Sequence, residues 1–575
     1  MINPTILSEA KNWANNLYFD EVDRIEMGKM IEQNNEKDLF ECFHKNLEFG
    51  TGGLRSIIGL GQNRMNKYTI RKATTALALT LKKHFPSPIS TVVSYDSRKF
   101  SKQFAEEVAL VFAAHEISTY LYPVLTPTPM LSFAIRELKA QGGVMITASH
   151  NPPKYNGYKA YWDDGGQVVP PYDQEIIDCY NSLNNWSDIK TLDKSKASSF
   201  LKMVSPEIDK KFYEMIEKKV IVDRQMCLEK GSQLKVVFTP LHGTGKIPCE
   251  EIMKRLGFFN FKTLASQAMP DENFSTVKFP NPEDPEALKL AIEEMIKTHS
   301  HLVFGTDPDC DRLGVVCLHE GKPHFINGNQ LGALFLDYIF KKRSKLGTLP
   351  LKPLVIKTIV TSSIQNAICD KFHAKVENTL TGFKWMADLI RRYENENSPW
   401  NFLFASEESF GYMPHPFSRD KDGVSSVALM SEVALHHLLQ GKTLIHALDD
   451  IFMEYGFFDE ALVAKDYEGS EGAKKILNIM NHFRNWTSPL IAGEEITLME
   501  DYLKPEKTKL PKSNVLGFTF KSGDKLFLRP SGTEPKIKFY IMTKVSEGDL
   551  KIKKLKSKEK IDRFINVIHQ ECDLC

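Results

Sequence analysis

Three carboxylates stand at alternate positions in the stretch TDPDCDR: Asp307, Asp309 and Asp311. Like charges that close repel one another unless a cation lies among them. Pro308 disfavours helix there, and the preceding HLVFG reads as a buried strand, so the acidic loop starts where a strand ends. Hard oxygen donors of this kind suit Mg²⁺, which commonly shares its shell with phosphate. A calcium EF-hand loop starts with the same spacing. Here Arg312 occupies its glycine position and Leu318 its bidentate glutamate position, which excludes calcium.

LRPSGTEPKIKFY has the makings of an anion cradle. Ser531, Gly532 and Thr533 offer hydroxyls and a close backbone approach, and Arg529 offers a planar fork. Lys536 and Lys538 alternate along the strand that follows and share a side. No G-x-x-x-x-G-K-[ST] occurs, so this is not a Walker loop. SEESFG places Glu407, Glu408 and Ser409 after another strand. Adjacent side chains on extended chain point apart, so Glu407 and Ser409 form the pair suited to vicinal sugar hydroxyls. Lys421 of SRDKDG is a candidate phosphate or proton partner.

The stretch ITASHNPPKYNGYKAYW carries Ser149 and His150 side by side. Neighbouring side chains are expected to diverge, and no G-x-S-x-G elbow is present, so a Ser–His hydrolase is not indicated. A serine in a chain with a Mg²⁺ loop and a phosphate cradle suits phosphoryl chemistry instead. A phosphoserine bears about −1.5 to −2 charges, and its oxygens would complete the shell begun by the three aspartates. Lys159 of YNGYK would offset charge developing on the transferring group.

One unit recurs three times to position these loops. STVVSYDSRKFSKQFAEEVALVFAAHEISTYLYP, LKVVFTPLHGTGKIPCEEIMKRLGFFNFKTLA and PLVIKTIVTSSIQNAICDKFHAKVENTL each read strand, polar turn, amphipathic helix, strand. Such a unit implies a parallel pair with a right-handed crossover. Downstream of each comes another apolar run that ends in a polar loop: TASHNP, TDPDCDR and SEESFG. Ligands of open α/β sheets bind beyond the carboxyl ends of strands, so a shared cleft is expected.

The chain divides around these units. A helical lead-in plus a first α/β domain spans 1–202, a second domain 203–325 and a third 326–455. A smaller C-terminal α+β domain spans 456–575, with LRPSGTEPK between two of its strands. At 575 residues several domains are required. A net charge of +1 gives no global attraction to nucleic acid or a membrane, and the basic run LKIKKLKSKEK reads as a solvated helix face. The amino-terminal MINPTILSEAKNWANN lacks the basic and apolar regions of a signal peptide, and no run approaches about 18 apolar residues. The nine cysteines are scattered apart from Cys572 and Cys575, a pair expected in a frayed terminus. A reducing cytoplasm is the expected location.

Taken together, FGTGGLR (Phe49–Arg55), TASHNP, DPDCDR, EESFG and RPSGTEPK resemble, in this order, the motifs of the α-D-phosphohexomutases. The resemblance spans nearly the whole chain. It implies four domains around a central cleft, three of them related α/β units, and a Mg²⁺-dependent phosphoserine mechanism. It implies that Ser149 is the phosphorylated serine, that Asp307, Asp309 and Asp311 hold Mg²⁺ with it, and that Arg55, Lys159 and Lys421 serve the reacting phosphate. Glu407 and Ser409 match the sugar-binding loop, and Arg529, Ser531, Gly532, Thr533 and Lys538 the phosphate clamp. Arg312, Thr381, Gly382 and Lys421 resemble further substrate contacts. Where many bacterial phosphomannomutases have G-E-M-S-G-H, this chain has SEESFGY; with NPPKYNGYKAYWDDGGQVVPP that leans toward the glucomutase and phosphopentomutase branch.

The implied reaction interconverts hexose 1-phosphate and hexose 6-phosphate, with glucose 1,6-bisphosphate as activator. The implied partners are free sugar phosphates, and the chain is expected as monomer or homodimer. Phosphomannomutase and phosphopentomutase remain alternatives. A phosphatase of D-x-D-x-[TV] type is disfavoured because Asp311 replaces the last Thr or Val. A silent sugar-phosphate binder is disfavoured by the intact serine and metal loops.

Overall fold

The computed structural model describes residues 3–48, 53–467, 469–531 and 536–575. They form two compact units. One comprises Met1–Phe325, Met386–Glu396 and Gly411–Glu432, the other Ile326–Trp385, Asn397–Phe410 and Val433–Cys575.

In the first unit the lead-in folds as helices Pro4–Asn15, Glu21–Glu32 and Glu36–Phe43. They bury Trp13, Phe19, Met27 and Leu39 against Tyr68. Two sheets follow. In the first, strand Ser90–Tyr95 lies between Ser118–Leu121 and Gly142–Ile146, parallel to both. Five of the six residues in STVVSY are buried, as expected where helices cover both faces. In the second sheet Val236–Thr239 lies between Phe261–Thr263 and Leu302–Gly305 in the same sense. Strands Tyr155–Trp162 and Gly314–His319 then return antiparallel, each carrying the chain back from a loop. Helix Lys67–His84 braces the first sheet. Its first turn is closed by a reciprocal cap between Asn66 and Thr69, and Lys82, Lys83 and His84 complement its carboxyl end.

The second unit repeats the plan. Pro353–Thr358 lies between Lys375–Thr379 and Asn401–Glu407, parallel to both. All three predicted strand–helix–strand units therefore form, and in each the third strand leads into the polar loop. Each of those loops turns through one non-glycine residue in the left-handed region: Ser149 (φ 52°), Cys310 (φ 51°) and Phe410 (φ 61°). Such a conformation costs about 1–2 kcal/mol per residue, so the surrounding packing must hold it.

The C-terminal part is a six-stranded antiparallel sheet covered by helices Gly469–Arg484 and Leu550–Leu574. The anticipated strands form as Leu516–Phe520, Lys525–Pro530 and Lys536–Val545. Three more, Phe457–Asp466, Leu490–Ile491 and Glu494–Asp501, go beyond that expectation. Phe457–Asp466 pairs with Lys536–Val545 along its whole length, yet it is an edge strand with only its first two residues buried. Its apolar signal is correspondingly weak. The expectation of a frayed carboxyl terminus is corrected, because the last helix runs to Leu574 and Cys572 is buried beside Phe564 and Ile568. Among the described residues no helix is long and apolar enough to cross a membrane.

Candidate active site

In the first unit Ser149 is 3% exposed, three residues beyond strand Gly142–Ile146. Its backbone N–H donates to Thr147 Oγ1 (2.8 Å), whose own proton goes to Asp96 Oδ2 (2.7 Å). The Arg98 guanidinium donates to the carbonyls of Ser149 (2.5 Å), Asn151 (2.6 Å), Pro152 (2.9 Å) and Tyr155 (3.1 Å). These contacts together fix a loop that would otherwise resist its left-handed turn. Gly157 opposite must lack a side chain, since a Cβ there would meet the Thr147 carbonyl oxygen at 2.5 Å.

Ser149 Oγ donates to Asp307 Oδ2 at 2.7 Å and lies 3.2 Å from His150 Nδ1. The expected divergence of Ser149 and His150 is therefore corrected: the left-handed turn brings the side chains together. The serine has one proton, so while it donates to Asp307 it accepts from an Nδ1–H tautomer. Burial, then the charges of Arg312, Arg55, Arg98 and Lys421, hold His150 well below its ordinary pKa, so it is neutral.

The acidic loop is fully buried. Asp307 Oδ1 accepts from the backbone N–H of Asp311 and Arg312, each at 3.0 Å. Asp309 Oδ2 accepts from Thr128 Oγ1 (2.9 Å) and Lys159 Nζ (2.8 Å), and Asp311 Oδ2 from Lys159 Nζ (3.3 Å). Lys421 Nζ lies 3.1 Å from the same Asp311 oxygen. Gly243, in the loop after Val236–Thr239, packs so near that a Cβ would sit 2.4 Å from Pro308 Cα. Burial, then Asp311 and Asp309, pushes Asp307 well above the usual carboxylate pKa. Burial alone would raise Asp309 too, but Lys159 holds it below the usual value. Burial opposes charge on Lys159, which Asp309 and Asp311 more than offset, leaving the ammonium stabilised.

One oxygen each of Asp309 and Asp311, Oδ1 in both, is buried with no hydrogen-bond partner. A native fold does not leave carboxylate oxygens so without a reason. The three aspartates present ligand atoms within 4.8 Å of one another. The donor set and its two orphaned oxygens fit Mg²⁺. Arg55 joins this region by donating to Asn151 Oδ1 (2.9 Å), and Arg312 pairs with Glu283. The structure thus gathers Ser149, Arg55, Lys159, Lys421, Arg312 and the three aspartates in one unit.

The second unit holds the other predicted residues. Glu407 is buried and accepts from the Gly382 backbone N–H at 2.5 Å, which couples the SEESFG loop to the TLTG turn next to Thr381. Gly382 has φ 112°, a conformation that explains the glycine. Ser409 lies in the turn after Glu407, partly buried. Glu408 is tied elsewhere, accepting from Thr358 Oγ1 (3.0 Å) and Thr361 Oγ1 (3.3 Å). Arg529 and Lys538 stand opposite one another in neighbouring strands, and the Ser531 backbone N–H donates to the Lys536 carbonyl (2.7 Å). Tyr540 feels Glu408, Arg529 and Glu407 together, so the SEESFG loop and the strand that carries Arg529 share a neighbour. Gly532 and Thr533 lie outside the described residues, as does Phe49–Gly52 of FGTGGLR.

Sequence reasoning missed three residues. Arg98, the brace of the serine loop, lies in SYDSRKF, at the carboxyl end of a repeat's first strand, where ligand-facing loops start. Asp420 accepts from Tyr161 (2.8 Å) and Gln167 (2.8 Å) and adds to the field on Lys159. Lys357 is 2% exposed, donates to the Thr361 carbonyl (3.0 Å) and is brought down to about 7 by burial and Lys525. A lysine inside an all-buried strand, PLVIKT, was its signal.

Against models of known families, residues 46–186, 210–321 and 327–455 match phosphoglucomutase/phosphomannomutase alpha/beta/alpha domains I, II and III. A phosphoglucomutase of Staphylococcus aureus strain MRSA252 is 39% identical over 541 residues, 90% of this chain and 93% of that protein. That of strain USA300 is 38% identical over the same length. Among solved structures, pp63/parafusin from Paramecium in its open form aligns with a TM-score of 0.67 at 18% identity, over 92% of this chain and 96% of the other. A putative phosphomannomutase from Thermus thermophilus aligns with a TM-score of 0.66 at 19% identity, over 90% and 99%. At those identities the two structures attest the fold.

Proposed function

The chain belongs to the phosphoglucomutase/phosphomannomutase family, the α-D-phosphohexomutases, and is a sugar-phosphate mutase; from that premise we propose that it interconverts α-D-glucose 1-phosphate and glucose 6-phosphate through phospho-Ser149 and a sugar bisphosphate. The observation that carries this reading is the 2.7 Å contact of Ser149 Oγ with Asp307, beside two carboxylate oxygens that lack hydrogen-bond partners.

The free hydroxyl of the bound sugar monophosphate attacks phosphorus on phospho-Ser149. A new P–O bond forms, the P–Oγ bond breaks, and the hydroxyl proton ends on Oγ. The bisphosphate then presents its other phosphate, Ser149 Oγ attacks it, and the isomeric monophosphate leaves. Mg²⁺, held by Asp307, Asp309, Asp311 and the phosphoserine, would neutralise charge on the transferring group. Lys159 and Lys421 orient Asp309 and Asp311 and place fixed positive charge where the phosphoryl passes, with Arg55 beside the serine loop. Burial of these groups raises the worth of each charge.

Glu407 and Ser409 take sugar hydroxyls, with Glu407 aimed by Gly382. Arg529, Ser531, Gly532, Thr533 and Lys538 take the phosphate that is not reacting, and Arg312, Thr381 and Gly382 complete the contacts. Lys357 adds a buried ammonium bonded to a neutral carbonyl, a group poised to accept an anion. Glucose 1,6-bisphosphate would recharge a dephosphorylated Ser149. All nine cysteines are thiols, seven of them buried, which suits a reducing cytoplasm.

Glucose preference is supported by the phosphoglucomutase relatives and by SEESFGY. The test is a panel of glucose, mannose and ribose 1-phosphates, each with a trace of its bisphosphate. The glucose ester should turn over fastest, with no net release of inorganic phosphate. Faster turnover of the mannose or ribose ester overturns the substrate, and net phosphate release overturns the mutase reading in favour of hydrolysis.

A further inference from the structure

A surface cavity of about 640 Å³ lies on the C-terminal sheet domain, away in sequence and composition from every residue of the site described above. Its wall comes from helix Gly469–Arg484, the turn that follows and Glu571 of the last helix. Its volume falls in the range of about 300–1,000 Å³ that small-molecule sites span.

The lining has one chemical character. Asn478, Asn481 and Asn485 recur at intervals of three and four, so their amides form a single stripe at helical spacing. Asparagine is a poor helix former, and three on one stripe favour something other than helix stability. Trp486 closes the stripe. Its indole N–H donates to the Leu490 carbonyl (3.2 Å), one face stacks on Phe483 (5.5 Å between centroids, 9° between planes), His482 meets it edge to face (5.7 Å), and the ring also lines the cavity. Thr487 and Ser488 add hydroxyls. None of the lining residues is Lys or Arg, and the two that can carry charge, His482 and Glu571, are bonded to each other at 2.7 Å. Arg484 gives its shorter bonds to Asp501 (3.2 Å) and Asn514 (2.9 Å) and reaches Asn481 Oδ1 only at 3.5 Å, while Asn485 Nδ2 donates to the Asn481 carbonyl (2.9 Å).

A phosphate finds no lysine or arginine in the lining, and the nearby Arg484 is held by Asp501, while a purely apolar ligand would strand the amides. What suits the wall is a neutral molecule that offers many hydroxyls on its rim and C–H groups on its face. Amides bond vicinal hydroxyls in pairs, and an indole covers the apolar side of a pyranose ring. We propose that this cavity is a non-catalytic binding site for neutral carbohydrate, a glucan chain of a few pyranose units. It is independent of the mutase reading, since no lining residue has a part in that reaction.

The test is affinity electrophoresis of the full chain through gels containing soluble amylose, dextran or polygalacturonate, with a maltoheptaose titration followed by tryptophan fluorescence. Amylose should retard the enzyme, polygalacturonate should not, and maltoheptaose should shift the emission. Trp486→Ala should abolish both signals. Because Trp486 also packs on Phe483, the double variant N478A/N481A serves as the second arm. It changes only exposed side chains to a better helix former, so its fold is retained and its affinity for maltoheptaose should fall at least tenfold. No retardation of the wild-type enzyme by either neutral glucan overturns the proposal. So does retardation by polygalacturonate alone, or wild-type affinity in the double variant.

Discussion

The acidic loop of the first unit and the strand PLVIKT of the second bury charge of opposite kinds. In the first, three aspartates at the serine loop face two ammoniums, Lys159 and Lys421, and two carboxylate oxygens remain without hydrogen-bond partners. In the second, Lys357 is buried on a neutral carbonyl, while Glu408 is taken up by threonine hydroxyls. An excess of buried carboxylate calls for a cation, and a buried ammonium without a bonded carboxylate calls for an anion. The difference suits the proposed division, with the chemical step in the first unit and the holding of phosphate in the second.

Removing the nucleophile tests the first assignment most severely. Ser149→Ala should lower turnover at least about a thousandfold, since it removes the oxygen proposed to carry the phosphoryl through both transfers. Intact-mass measurement should find one phosphate on active wild-type enzyme and none on the variant. Normal turnover in Ser149→Ala would break the comparison at its root.

The carboxylate excess is tested next. Chelation should abolish turnover and Mg²⁺ should restore it. Mg²⁺ at about one hundred times its dissociation constant should stabilise the wild type by about 2.7 kcal/mol. Asp311→Asn removes one of the repelling charges, so the metal-free variant should unfold later than metal-free wild type while gaining little from Mg²⁺. Thermal unfolding with and without Mg²⁺ checks both. Equal Mg²⁺ stabilisation of wild type and variant would move the cation elsewhere.

The phosphate-holding assignment predicts a smaller effect of a different form. A lost charge-assisted contact costs about 1.5–3 kcal/mol, roughly ten- to hundredfold in kcat/KM. Arg529→Ala should show it mostly in KM, for the 1-phosphate and the 6-phosphate alike, while still accepting phosphate on Ser149. Arg529→Lys should recover only part, because an ammonium lacks the planar fork. Unchanged KM and kcat in both directions would place the clamp on other residues.

How far these two regions could be read from the sequence follows the same division. Alternating acids and a strand–loop pattern made Asp307, Asp309 and Asp311 legible, because repulsion at close spacing is a local property. The three repeats were legible too, since periodicity and turn residues are local. Arg98 was not, because its role rests on four carbonyls brought to it by a turn 51 to 57 residues away. The Ser149–His150 contact was misjudged because it depends on a left-handed φ that no neighbouring residue announces. Phe457–Asp466 escaped because an edge strand buried only at its first two residues carries little apolar signal.

The smallest expected effect concerns Lys357 and sharpens the second half of the comparison through pH. Burial, then Lys525, brings this lysine down to about 7, against opposing help from Glu408 and Glu460. In the unfolded chain its ammonium titrates near 10.5. Between about 7 and 10.5 the unfolded state therefore binds more protons, and stability rises with pH across that window; at pH 7 and below the full cost of a desolvated ammonium is present. That cost is on the order of a few kcal/mol. Lys357→Met should accordingly be more resistant to urea than wild type at pH 6–7, with the gain fading toward pH 10. Glu460, raised to about 7 mainly by burial, has the mirror window. Its stability contribution is lost as pH rises from about 4.5 through 7, so Glu460→Gln should gain most above pH 7 and nothing near pH 4. If the ammonium exists to meet a phosphate, a sugar phosphate should stabilise wild type more than Lys357→Met at pH 7, and the variant should lose roughly tenfold in kcat/KM. Urea midpoints across pH 6–10, with and without glucose 6-phosphate, measure all of this. A Lys357→Met variant destabilised equally at every pH would show the lysine to be a structural partner rather than a group held ready for an anion.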